Sequence, residues 1–232
     1  MLSNKSYMEI FLWGYIFMDD NMKWHNDAIG KKVATALVKN RFDAVYVATK
    51  SEAVQKALSM IPAKATIGCG GSMSRTEVGL MDILKEESRG HIFFDWHKHD
   101  MPLEEKTEAR RKATFADVFL ASSNAVTMDG QLLNIDGTGN RVASMAFGPQ
   151  KVILIIGVNK IVKDVAAGLE RMKMIARPVN NKRLNLPNPC VQTGFCVECE
   201  LPSRICNVTT IMHKKPMLTD ISIIVVGEDL GY

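Results

Sequence analysis

No stretch of this chain is both long and apolar enough to cross a bilayer. The nearest candidate, IFLWGYIFM at residues 10–18, falls well short of the ~20 residues a spanning helix needs. It also lacks a strongly basic leader and a small-residue cleavage site, which speaks against an export signal and predicts a cytoplasmic protein. Residues 1–21 read as an N-terminal extension or a mis-assigned start, with further methionines at Met18 and Met22. There is no long Lys/Arg run. A net charge of +4 gives little support to nucleic-acid binding and suits a small anionic metabolite, carboxylate or phosphate. Neither the Walker phosphate loop nor the GxGxxG dinucleotide fingerprint occurs, so no nucleotide or nicotinamide site is evident. Cysteine is scarce, five in 232 residues, and a reducing cytoplasm disfavours structural disulfides.

What the chain does have is ordinary globular material, 47% hydrophobic and 23% charged, enough to bury a sizeable core. Apolar spacing predicts a helix over residues 24–40, and AVYVAT (44–49) reads as a strand followed by a helix starting at Ser51. ATIGCGGS (65–72) is a strand running into a glycine turn, and SRTEVGLMDILKEE continues as a helix. HIFFDW (91–96) reads as a strand and LEEKTEARRKATF (103–115) as a charged surface helix. ADVFLASSNAVT (116–127) and QLLNID (131–136), joined by MDG, suggest a hairpin. KVILIIGV (151–158) is a continuous apolar run of the kind a strand covered on both faces requires. A helix over 161–176 and a last strand at 222–228 complete an alternation that predicts an α/β domain with a mostly parallel sheet. Residues 22–232 form one domain in this reading. Within it, 177–217 is an irregular, cysteine-rich excursion with five prolines.

Two segments carry polar groups where a ligand would bind. In GCGGSMSRTEVG (68–79), Gly70, Gly71 and Ser72 lie between a strand and a helix, where backbone N–H groups can approach an anion. A tight structural turn is the competing reading, and Cys69 there reads as a small buried residue. The block from 122 to 162 gathers Asn124, Asp129, Asn134, Asp136, Asn140, Arg141 and Lys160 near strand ends and glycine turns. Beyond the carboxyl ends of the strands is where open α/β sheets bind ligands. Asp and Asn also cap turns, which is the competing reading for Asp129 and Asn134. His97 and His99 share an H-x-H spacing, but their surroundings favour a solvated loop, as do those of His213.

The glycine loop GCGGSMSRTEVGL, the block ADVFLASSNAVTMDGQLLNIDGTGNRVASMAFGPQKVILIIGVNKIV and the ending IIVVGEDLGY together resemble the LUD-domain family, the LutC/YkgG-like lactate-utilisation proteins. The resemblance covers nearly everything from about residue 22 onward. It implies a Rossmann-like sheet of the ribose-5-phosphate isomerase/CoA-transferase-like type. It also implies a role beside iron–sulfur redox partner proteins that oxidise lactate. By analogy with sugar-phosphate isomerases of that superfamily, NIDGTGN makes Asp136 the candidate acid/base. Gly70, Gly71, Ser72, Asn124, Asp129, Asn140 and Lys160 are then the candidate ligand or anion contacts. Other readings are a stand-alone isomerase or acyl/CoA-transferase-like enzyme on an anionic metabolite, and a non-enzymatic redox or metal sensor. An oligomer is compatible with any of them.

The remaining cysteines, Cys190, Cys196, Cys199 and Cys206, stand in a C-x5-C-x2-C-x6-C pattern. Structural zinc sites usually pair two short knuckles, and only Cys196 and Cys199 form one. Thiolates in one proline-bearing loop suit a cubane whose irons each take one ligand. Similar spacing in many stand-alone LUD-domain sequences points the same way, to a [4Fe-4S] cluster, with zinc as the alternative. A fully ligated cluster would favour structure or electron transfer over Lewis-acid chemistry.

Overall fold

The computed structural model describes residues 19–85, 90–96 and 100–232; His97, His99 and residues 1–18 lie outside them. Two sheets organise the chain. The larger is six-stranded and parallel throughout, in the order β1-β10-β7-β4-β2-β3. Its members are β1 (Asp43–Val47), β2 (Thr66–Cys69), β3 (Ile92–Phe94), β4 (Val118–Ala121), β7 (Lys151–Gly157) and β10 (Asp220–Val226). The smaller sheet, in the order β8-β5-β6-β9, contains β5 (Ala125–Thr127), β6 (Leu132–Asp136), β8 (Ile161–Val162) and β9 (Val208–Met212).

The apolar run of β7 explains the layering. Successive side chains of a strand point to opposite faces. Leu154 and Ile156 accordingly join Val33 and Leu37 of α1 (Asp20–Lys39), while Ile153 and Ile155 join Ala53, Val54 and Ala57 of α2 (Lys50–Ser59). β10 alternates in the same way, with Ile223 and Val225 on the first face and Ile224 and Val226 on the second. Each such side chain, fully buried, contributes about 1.5–3 kcal/mol. A sheet apolar on both faces must be covered on both. That requirement fixes the helix–sheet–helix sandwich.

Several elements differ from the sequence reading, each for a local reason. SRTEVGLMDILKEE is not one helix: Gly79, at φ +70°, separates α3 (Met73–Glu77) from α4 (Leu80–Leu84). Residues 116–127 supply two strands in different sheets, because Ser122, Ser123 and Asn124 turn the chain between β4 and β5. The expected hairpin is present, with β5 antiparallel to β6. Helix α7 (Val165–Arg171) does not stop near 176. It passes through a π turn at Met172–Ala176 into α8 (Arg177–Arg183). Pro178 has no N–H to give to the preceding turn, and Lys173 O in that turn accepts from Cys196 N at 3.0 Å. The irregular segment is therefore shorter than 177–217. Its far end, Val208–Met212, pairs with β6, and only the short helix α9 (Cys190–Thr193) interrupts it before that. The helix α7–π–α8 packs Leu169, Met172 and Ala176 against Ala125 and Leu133 of the small sheet.

Candidate functional site

The small sheet, the carboxyl ends of β2 and β4 and the turn after β7 enclose a cavity of about 290 Å3. Helix α5 (Leu103–Thr114) and α6 (Asn140–Ala146) reach it from one side and α8 from the other. Of the residues singled out from sequence, Gly71, Ser72, Asn124, Asp136, Asn140 and Lys160 line it. Gly70 does not line it. A Cβ on Gly70 would meet Arg141 Cδ at 2.9 Å, so this glycine leaves room for the arginine's stem. Asp129 is not brought to the cavity. It lies in the β5–β6 turn, hydrogen-bonded by the Thr127 hydroxyl and by Gln131 Nε2, and those bonds hold its carboxyl below the usual range.

Arg141 is the internal scaffold of the site. Its Nη1 donates to Ser122 O at 2.9 Å and Asn134 Oδ1 at 2.7 Å, and its Nη2 donates to Asn124 Oδ1 at 2.9 Å and Ile135 O at 2.7 Å. With both terminal nitrogens committed, the guanidinium ties β4, β5 and β6 together and has little left for a ligand. Asn124 is committed through its Oδ1, which also accepts from Ile135 N at 3.0 Å.

Asp136 ends β6. Its Oδ1 accepts from Thr138 N at 3.2 Å and Gly139 N at 2.9 Å, the turn-capping role. Its Oδ2 is different. It is buried without a hydrogen-bond donor, 3.5 Å from Arg141 Nε as an ion pair, and so keeps acceptor capacity at the cavity.

Lys160, in the 3-10 turn after β7, is buried, with Nζ 2.8 Å from Ser74 Oγ and 3.1 Å from Ser122 Oγ. Burial is the main cause that lowers its pKa to about 7, with Arg171 and Arg141 adding to the effect and Glu77 opposing it. A group poised near neutrality at a ligand cavity is the usual condition for proton transfer or nucleophilic chemistry.

Sequence reading missed three contributors. Arg110 lies in the helix read as a charged surface, yet its guanidinium stacks 4.3 Å over the Trp96 ring and its buried Nε has no hydrogen-bond partner. Arg183 lies in the segment read as irregular, and Tyr232 at the chain end lines the same cavity. A charged-helix pattern is common on solvated faces and carried no signal for any of the three.

The four-cysteine loop borders this cavity. Ile205 lines it, Gly137 lets the Ile205 backbone approach (a Cβ there would meet Ile205 Cα at 3.1 Å), and Asn207 N donates to Asp136 O at 3.0 Å. None of the four cysteines of the loop is in a disulfide. Burial pushes the Cys190 thiol up, and the nearby Cys199, Cys206 and Cys196 add to it. Cys206 is also pushed up by burial, against the pull of Arg177 and Arg204. Arg177 Nη1 donates to Cys196 Sγ at 3.2 Å and the Glu198 N–H approaches the same sulfur at 3.5 Å. Arg204 spans the loop, donating to Cys199 O at 2.7 Å and Cys206 O at 3.2 Å. Asn188 ties it to α8 through Asn181, and to Ser203 O at 2.9 Å.

Among the described residues, no three or more His, Cys, Asp or Glu side chains are arranged to hold a metal ion. A single zinc would require sulfurs roughly 3.8 Å apart, from Zn–S bonds of about 2.3 Å in a tetrahedron. A cubane spreads its ligands over a larger frame, one per iron. Four thiols near one another are the donor number of such a cluster, and among them the sulfur of Cys196 is the one that Arg177 and the Glu198 N–H touch. His213 is exposed and contacts Gln131.

Among solved structures, the chain is similar to a DUF162 family protein from Deinococcus radiodurans at 14% identity and a TM-score of 0.48, covering 87% of this chain and 98% of that one. It is also similar to a D-ribose-5-phosphate isomerase in complex with phospho-erythronic acid, at 15% identity and a TM-score of 0.40, covering 76% of this chain and 93% of that one. A comparison with curated proteins gives no match. The family model described as the LUD domain matches residues 30–226, most of the chain, and the protein belongs to the LUD-domain family.

Proposed function

We propose that this is a lactate-utilisation-type LUD protein with an iron–sulfur centre, supporting oxidation of a small hydroxy acid together with partner redox proteins. The observation that carries the reading is the shared lip. Ile205 and Asn207, on either side of Cys206, touch the cavity and the Asp136 backbone. A cysteine-bound cluster would supply one-electron transfer next to the bound acid. Cys190, Cys196, Cys199 and Cys206 would hold it, and burial, which raises the pKa of Cys190 and Cys206, means that ligation by those two thiols releases protons. Arg110, set over Trp96, lines the cavity and brings a guanidinium charge to it for a carboxylate. Asp136 Oδ2 and Lys160 Nζ stand at the same cavity to take the hydroxyl proton. Oxidation of a hydroxy acid gives up two electrons and two protons. With no flavin or nicotinamide motif in the chain, a partner oxidoreductase must accept the electrons.

Calorimetry on anaerobically prepared protein tests this. Lactate and pyruvate are expected to bind, and Arg110→Gln to weaken both by about tenfold or more, the loss of a charge-assisted hydrogen bond. A second reading, an isomerase or acyl/CoA-transferase-like enzyme with Asp136 as base, draws on the free acceptor at Asp136 Oδ2. Binding of sugar phosphates or CoA thioesters without binding of lactate or pyruvate would favour it and count against the hydroxy-acid role.

A further inference from the structure

Lys160 is 3% exposed, and its partners are hydroxyls, not a carboxylate. The Ser74 hydroxyl gives its own hydrogen to Leu230 O at 3.1 Å, and the Ser122 hydroxyl points its hydrogen at Ser123 O at 3.4 Å. Both oxygens are thus left to accept from the amine. A neutral amine has two N–H bonds and one lone pair. The two serines use both N–H bonds, and the lone pair is left on the side of the cavity that Lys160 lines. An ammonium would carry a third N–H with no partner, near the cations Arg141 and Arg171.

We infer that Lys160 is a carbonyl-trapping amine that condenses with a short 2-oxo acid in this cavity, an inference that rests on the hydroxy-acid reading above. The lone pair on Nζ attacks the carbonyl carbon, and the C=O π pair moves to oxygen, which takes a proton. The nitrogen loses its proton, the carbinolamine expels water, and a C=N bond to Lys160 remains. One water leaves, and nothing is oxidised or reduced. Arg110, set over Trp96 and lining the same cavity, supplies the charge that holds the carboxylate, and Asp136, also in the lining, carries the proton between the steps. A cavity of about 290 Å3 suits an acid of a few carbons. An alcohol cannot form the imine, so Lys160 distinguishes the oxidised acid from the hydroxy acid.

The charged groups around the amine are Arg171 on α7, Arg141 on α6 and Glu77 on α3, with Asp136 of β6 on the same cavity. Buried among them, Lys160 titrates at about 7 and is reactive where surface lysines are protonated.

The test is incubation of the protein with pyruvate and sodium cyanoborohydride, read by intact mass and peptide mapping, with calorimetry of pyruvate binding in parallel. The expected result is a single carboxyethyl adduct, on Lys160. It should be absent from Lys160→Met and Lys160→Arg and slowed in Arg110→Gln. Its rate should level off just above neutral pH, while surface lysines keep gaining toward about pH 10. Pyruvate binding without an adduct, or adducts equally abundant in Lys160→Met, would overturn this inference and leave the hydroxy-acid reading standing. Neither binding nor adduct would remove both.

Discussion

Replacing Lys160 with methionine will raise the melting temperature at pH 6, and the gain will shrink as the pH climbs toward 10. The folded-state pKa of Lys160 is lowered from 10.5 to about 7, chiefly by burial. Below the folded value the amine is charged in both states, and folding carries the whole cost of burying it. Between the two values the unfolded chain holds a proton that the folded chain lacks, so stability rises with pH. Above the unfolded value both states are neutral and the cost is gone. A shift of this size corresponds to roughly 4–5 kcal/mol as an upper bound. Methionine fills similar volume but leaves the Ser74 and Ser122 hydroxyls without their donor, a loss of about 1–3 kcal/mol. The net expectation is a gain of about 2 kcal/mol at pH 6, several degrees in a thermal melt of a chain this size. A variant less stable than the parent at pH 6, or a difference independent of pH, would contradict the assignment of a neutral buried amine. Retaining such a lysine at a cost to stability is what a functional site does.

The second large effect belongs to the cysteine loop. Cys196→Ser, made in protein purified without oxygen, is expected to lose the brown visible absorbance of the parent and to open residues 184–207 to protease. The core of β7 and β10 should stay folded, because its packing does not involve this loop. The loop has supports of its own: Arg204 bridges Cys199 O and Cys206 O, and Asn188 joins Asn181 to Ser203 O. Few large apolar side chains back them, and Phe195, Val197 and Leu201 are exposed. Ligation by four thiolates would add the missing order. If the parent and Cys196→Ser were equally colourless and equally resistant to protease, the polar network alone would hold the loop and the metal role would fall.

Much of the fold was legible in the chain. The continuous apolar run of β7 and the alternating strands and helices give the parallel sheet directly, and MDG gives the β5–β6 hairpin. The second sheet was not legible, since Val208–Met212 is a short, half-exposed strand inside a proline-rich segment, and its partner β6 is over seventy residues away. Long-range pairing of that kind leaves no local periodicity to read. The same limit applied to the site. Asp136 and Lys160 stood out because they follow strands in a glycine-rich block, and both line the cavity. Asn124, singled out for a ligand, lines the cavity, and its Oδ1 also holds Arg141 and the Ile135 N–H, a packing role with no local sequence signal. Arg110 read as a solvated charge because a helix pattern records which face is polar, not what that face meets, and Arg183 fell in a segment read as irregular.

The central claim is that a redox cluster and an acid-binding cavity meet at Cys206. Measuring iron, acid-labile sulfide and zinc in anaerobically purified protein tests it most directly. The account predicts about four irons and about four sulfides per chain with no zinc. One tightly bound zinc per chain with neither iron nor sulfide would contradict it.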